Sequence, residues 1–171
     1  MKIVGFTQID GVTEMLLKSD SCLLVNRKPF FTPDGTTDIR MTPCVVLRVS
    51  RLGKSIDRRF AERYYDAVAP GIDFVDQAQL DAARQNRTSW TKAIDFDYSL
   101  AVGEWTDKES MCANDLVIGC AQAIEEVSRL MTIRQGDLIY IDSRIPARSV
   151  KRDEVIEGPE WAKEQLYCKI K

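Results

Sequence analysis

The stretch Gly71–Trp105 reads GIDFVDQAQLDAARQNRTSWTKAIDFDYSLAVGEW. It opens on an apolar run broken by one acid, Asp73, which stands between Ile72 and Phe74. The run passes into a polar segment and returns through Trp90, Asp97 and Gly103 to apolar residues. A carboxylate in an apolar run is costly to bury unless it is paired, hydrogen-bonded or bound to a metal. Asp73 therefore reads either as a ligand or hydrogen-bond hub, or as an aspartate capping the helix that follows a strand.

Downstream of Asp73 the composition of 75–87 predicts a short polar helix. Arg84, Asn86 and Arg87 on it read as ordinary surface rather than as an anion site, because no glycine-rich phosphate loop accompanies them. Residues 96–105 alternate as a strand, and Asp115 precedes an apolar helix carrying Ile118, Ala121, Ile124, Val127 and Leu130. Met131 at its end reads as core filler. Gln135-Gly136-Asp137 turns the chain into a strand over 138–141, and a tail with Trp161, Leu166, Tyr167 and Ile170 supplies a last strand.

Upstream, 43–50 is a β-branched run with Pro43 among its first residues, where a missing N–H is tolerated. Between that run and the central stretch, Ile56, Phe60, Tyr64 and Val68 form an i, i+4 stripe behind Ser55. That spacing predicts a helix ending at Pro70-Gly71, with Arg58, Arg59, Glu62 and Arg63 facing water. Residues 22–31 read as a hairpin turning at Asn26-Arg-Lys-Pro, and Pro33-Asp-Gly-Thr follows as a further turn. Residues 12–17 read as a short helix.

Mixed strands, few helices, no repeated strand–helix alternation and no dinucleotide fingerprint place the chain in the α+β class, with β dominant. Its 171 residues, 44% hydrophobic and 29% charged, suit one domain spanning 1–171. The 24 basic and 26 acidic residues leave a net charge of −2 with no basic face, which argues against nucleic acid as a partner. No apolar run approaches the ~20 residues of a membrane span, so a soluble, cytoplasmic chain without membrane contact is expected. Cys22, Cys44, Cys112, Cys120 and Cys168 are odd in number and lack Cys-x-x-Cys spacing, so reduced thiols, several of them buried, are expected. The absence of histidine rules out any imidazole acid or base.

Several segments together carry a resemblance. They are Lys18-Ser-Asp-Ser-Cys-Leu-Leu-Val-Asn-Arg-Lys-Pro-Phe-Phe, the run from Arg48 to Lys54, Arg63-Tyr-Tyr-Asp-Ala-Val, Gly71-Ile-Asp-Phe, Trp90-Thr-Lys-Ala with Phe96-Asp-Tyr-Ser, and Gly136-Asp-Leu-Ile-Tyr. In this order, from about Lys18 onward, the chain resembles the fumarylacetoacetate hydrolase family, including its 2-hydroxyhepta-2,4-diene-1,7-dioate isomerase-like members, as a divergent and N-terminally shortened relative, a resemblance that implies a shortened cap over residues 1–20. The resemblance implies a roll of mixed β-sheet with a few peripheral helices, usually dimeric. It also implies Mg²⁺ or Mn²⁺ held by carboxylates, gripping 2-oxo or diketo acids for hydrolysis, decarboxylation or isomerisation.

Set against that family, the chain departs at most of the positions that carry chemistry. The family's Glu-x-Glu ligand pair falls on Thr42 and Cys44, and only Asp73 matches a metal-ligand position. A hydroxyl is a weak ligand for a hard cation and a thiolate is too soft. Gln77 stands in the segment where the family has its arginine, and the catalytic lysine falls on Ile94, with Lys92 beside it in a different position. The family's Thr-Gly-Thr-Pro loop falls on Ile141-Asp142-Ser143-Arg144.

These departures predict a non-catalytic member, a pseudoenzyme acting as a binding or partner subunit, with no cofactor expected. It would pair with itself or with an active relative, and a small-molecule ligand stays open. If Asp73 is buried without a metal, its oxygens need donors, and Thr42, Gln77, Lys92 or backbone N–H groups are the candidates. Two other readings stand beside this one. In the first, an active hydrolase, isomerase or decarboxylase holds Mg²⁺ or Mn²⁺ through Asp73, Asp76, Asp95 or Asp142. In the second, Cys44 carries thiol chemistry.

Overall fold

The structure, a computed structural model, describes residues 1–9, 11–111 and 115–171. Its strands are β1 (Ile3–Ile9), β2 (Val12–Lys18), β3 (Leu23–Leu24), β4 (Ile39–Val49), β5 (Tyr65–Asp76), β6 (Leu100–Val102), β7 (Thr106–Asp107), β8 (Leu138–Asp142), β9 (Arg148–Ser149), β10 (Val155–Glu157) and β11 (Tyr167–Lys169). Its α-helices are α1 (Gln77–Asn86), α2 (Thr91–Ile94) and α3 (Cys120–Leu130). Among the described residues one mixed sheet runs β2-β1-β8-β4-β5-β6-β3, with β7 paired to β5 and β9 to β4. A separate ribbon joins β10 to β11. This is the β-dominant α+β class the sequence predicts.

β4 and β5 form the spine, antiparallel from Ile39↔Asp76 to Val49↔Tyr65. Alternation splits their side chains between two faces. On one face Val45, Leu47, Val49, Val68, Ile139 and Ile141 pack with Ala123, Ile124 and Val127 of α3. On the other, Cys44, Val46, Ala69 and Tyr140 pack with Ile3, Leu100 and Val102. α1 and α2 close one end of this second face through Leu80, Ala93 and Ile94, against Leu16 and Val75.

Residues 12–17 are strand rather than helix: β2 pairs with β1 from Ile9↔Val12 to Ile3↔Lys18. An Asp-Gly pair is a strong hairpin signal, and Gly11 takes the positive φ of +78° that such a turn requires. Ile3–Ile9 and Val12–Lys18 are therefore strands of the main sheet rather than parts of a separate cap. The helix expected over 56–68 is a 3₁₀ segment, Arg58–Arg63, followed directly by β5. Asp57 caps that segment by accepting from the Arg59 N–H at 2.9 Å, whereas Ser55 has φ +52° and Phe60 is 43% exposed. The stripe was a coincidence of spacing, overridden by the pairing of 65–76 with β4.

Pro70 and Gly71 lie inside β5 and stop nothing. The Pro70 carbonyl accepts from the Gly103 N–H at 2.9 Å, so its donor-less nitrogen faces the same side, at the break between β6 and β7. Pro43 is likewise mid-strand, opposite Ile72, because β4 starts at Ile39. The hairpin expected over 22–31 does not form: β3 pairs parallel to β6, and Phe30 bridges to Ile170 and stacks on Phe74. The polar helix, the strand after Gly136 and the returning tail strand stand where expected, while the strand expected over 96–105 narrows to β6. Cys22, Cys44 and Cys168 are buried free thiols, Cys120 is half-buried, and Cys112 lies outside the described residues.

Candidate functional site

Directly opposed residues on paired strands share a face. Thr42 opposes Asp73, and Cys44 opposes both Gly71 and Asp142, so Thr42, Cys44, Asp73 and Asp142 share the enclosed face of the sheet. Gly71 leaves room for the thiol, since a Cβ there would lie 2.7 Å from Cys44 Sγ. Into this face comes Lys18, the last residue of β2. Its side chain is 0% exposed, and Nζ lies 2.6 Å from Asp73 Oδ1. The ammonium also donates to the Ser99 carbonyl and to Ser99 Oγ, both at 3.1 Å, and Ser99 Oγ donates on to the Ile94 carbonyl at 3.1 Å. Two of the ammonium's donors are thus hydrogen-bonded to Ser99, while its contact with Asp73 is an ion pair without the alignment of a hydrogen bond, which leaves Asp73 Oδ1 without a hydrogen-bond partner.

Asp142 is 1% exposed, and neither of its oxygens has a well-formed hydrogen bond. The Thr7 hydroxyl approaches it without the alignment of a full bond. Burial, then the neighbouring Asp73 charge, pushes the Asp142 carboxyl well above the ordinary carboxylate range. Burial also raises Asp73, and the Lys18 ammonium pulls it back down. Cys44 is pushed well above an ordinary thiol, first by burial and then by Asp142 and Asp73, so it is held as a thiol. That removes the thiolate the Cys44 chemistry needs. Tyr140, whose ring lies 5.6 Å from the Lys18 ammonium, completes the wall with a buried hydroxyl that has no hydrogen-bond partner.

The other candidates separate from this cluster. Asp76 caps α1 by accepting from the Gln79 N–H at 3.1 Å, so the capping role belongs to it and not to Asp73. Asp95 accepts from Ser19 N–H and Oγ at 2.9 and 2.8 Å. Lys92 is exposed, and Gln77 turns to Asp81 at 2.7 Å, so neither serves as the expected donor to Asp73. Thr7, Thr42, Gln77 and Ile94 instead line a cavity of about 60 Å³ beside the cluster. Ser143 Oγ is buried without a partner, and its N–H donates to the Pro43 carbonyl at 2.8 Å.

The fumarylpyruvate hydrolase of Pseudomonas aeruginosa, solved with Mn²⁺ and pyruvate, superposes with a TM-score of 0.84 at 16% identity over 99% of this chain and 88% of its own. The 5-carboxymethyl-2-hydroxymuconate delta-isomerase of Mycobacterium smegmatis gives 0.82 at 14% identity, over 99% and 78%. The chain has the fold of the fumarylacetoacetate hydrolase family. In sequence, the mitochondrial oxaloacetate decarboxylase of Dictyostelium discoideum is 21% identical over 162 residues, 83% of this chain and 74% of that protein. No protein-family model matches the chain.

Members of the fumarylacetoacetate hydrolase family imply a divalent metal, but the donors present here do not fit one. A hard cation takes about six oxygen ligands. Here Asp73 is engaged by an ammonium, Asp142 is pushed toward its neutral form, and the remaining neighbours are hydroxyls and a thiol. Among the described residues no group of three or more His, Cys, Asp or Glu is arranged to hold an ion. Lys18 is the residue that sequence reasoning missed as a site member. It opens the first of the resembling segments, yet nothing in its neighbourhood of Leu17 and Ser19 signals burial, because β2 is otherwise half-exposed.

Proposed function

We propose that this chain is a non-catalytic member of the fumarylacetoacetate hydrolase fold that works as a binding or partner subunit, pairing with itself or with an active relative. The observation that carries this reading is the small cavity lined by the chain's own versions of the family's chemical positions. Thr42, Gln77 and Ile94 meet there around about 60 Å³, against the roughly 300 Å³ and more of ordinary small-molecule sites. An isoleucine at that wall neither carries charge nor moves a proton. The ammonium-paired Asp73 supports the same reading, since it leaves no free carboxylate pair for a Lewis acid.

The test is turnover. Purified protein with added Mn²⁺ or Mg²⁺ is offered oxaloacetate, fumarylpyruvate and related diketo acids, alongside an active family enzyme. The reading expects no loss of substrate above the metal-only rate. Saturable turnover that is abolished by Asp73→Asn would replace it with the active-enzyme reading.

A further inference from the structure

Outside the cluster around Asp73, the chain encloses a second and larger space. β3, the turn at residues 25–28, the end of β6 and the tail around β11 surround a cavity of about 390 Å³, within the range of small-molecule sites. It shares no lining residue with the cavity at Thr42, Gln77 and Ile94. Its buried lining is apolar, supplied by Leu24, Ala101, Leu166 and Cys168. Burial lifts the Cys168 thiol to about 11, so it lends apolar contact and no thiolate. Trp105 and Tyr167 also line the cavity, each 37% exposed, and the Arg48 guanidinium lies 5.3 Å from the Trp105 ring centre, which holds that ring in place.

Arg27 and Lys28 bring positive charge to the same cavity. The Arg27 guanidinium donates to the Glu164 carbonyl and pairs with Glu104 at 3.5 Å, with side chains 50% and 66% exposed. So exposed a pair is weak, and a ligand carboxylate can take the place of Glu104. Glu104 itself shows that the guanidinium fork accepts a carboxylate here. Two aromatic side chains beside a cation suit a flat apolar body joined to an anion. Gln165, also in the lining, buries an Oε1 that no donor meets, and an acceptor left unbonded is a cost that a ligand N–H or O–H relieves.

We propose that this cavity binds a small aromatic carboxylate that carries an N–H or O–H donor. Its ring packs on Trp105 and Tyr167, its carboxylate replaces Glu104 on Arg27, and its donor meets the Gln165 amide. The site goes beyond the non-catalytic reading and does not rest on it, since binding here uses neither Thr42 nor Asp73.

The experiment titrates N-acetylphenylalanine into the natural protein and follows amide and indole N–H resonances by NMR. The Trp105 indole and the Gln165 side-chain amide should shift saturably, while Thr42 and Asp73 stay unmoved. An affinity on the order of 10⁻⁴–10⁻³ M suits a ligand of this size. The amide of the same probe, which lacks the carboxylate, and 3-phenylpropanoate, which lacks the donor, should each bind more weakly. Arg27→Met should weaken binding about tenfold, and Glu104→Gln, which removes the competing carboxylate, should tighten it about threefold. No shift at roughly 10 mM probe overturns the inference. So does equal binding of either control probe, or a response centred on Thr42 and Asp73. Trp105 shifts that follow protein concentration without any probe also overturn it, since they put a second copy of the chain on the cavity. None of these outcomes bears on the turnover test, so the two readings fail separately.

Discussion

At the scale of single residues, the Lys18–Asp73 pair is a liability when halved. Asp73→Asn leaves a buried ammonium with only Ser99 for company and should cost about 3–5 kcal/mol in urea unfolding. Lys18→Met together with Asp73→Asn should cost clearly less than the two single changes summed, because neither charge is then stranded. An additive pair would mean that the ammonium and carboxylate do not interact. Asp142 carries the pH dependence. Its folded-state value is raised above the ordinary 3.8, so the stability it lends is fully present below that value and is lost as pH rises toward the folded one. Asp142→Asn removes this loss, so its stability relative to the natural protein should improve from pH 4 to pH 8, and parallel profiles would contradict it. Asp73 was legible in the sequence because a lone acid between Ile72 and Phe74 demands a partner. The partner was not, because a lysine at a strand end looks the same whether it reaches solvent or turns inward, and only the closure of β2 over the sheet decides.

At the scale of elements, β1 and β8 lie side by side because Gly5 lets the Tyr140 ring cross its backbone. A Cβ on Gly5 would fall 2.0 Å from the ring Cζ. Gly5→Ala should therefore destabilise by about 1–3 kcal/mol through displacement of the ring, read from thermal or urea unfolding. A neutral substitution would place the ring elsewhere. Strands with dense β-branched content or a clean turn before them, such as β4 and β8, were readable, as was the polar helix α1. Two segments misled in opposite ways. Residues 12–17 lack strict alternation and gained strand structure from pairing with β1 after the turn at Gly11, whereas 56–68 show helical spacing that pairing with β4 overrode. Local periodicity decides an element only where no neighbour competes for its backbone hydrogen bonds.

At the scale of the whole molecule, the roll encloses one face of its sheet and fills it with Lys18, Thr42, Cys44, Asp73, Tyr140 and Asp142. The order of the resembling segments made the fold readable, since topology survives wherever the core pattern does. The contents of that face were only half readable: the departures from the resembling family's pattern at Thr42, Cys44 and Ile94 stand in the sequence, while the inward ammonium of Lys18 and the orphaned oxygens of Asp142 show only in three dimensions. In the Thr42→Glu, Cys44→Glu double variant the scaffold should recover a cation site on this face, measured by Mn²⁺ titration, and no saturable uptake by the folded variant would contradict it. The central claim is that the natural site accepts no catalytic metal. Calorimetric titration of the chelator-treated natural protein with Mn²⁺ tests it most directly. The account predicts no saturable heat; a saturable heat that Asp73→Asn abolishes would contradict it.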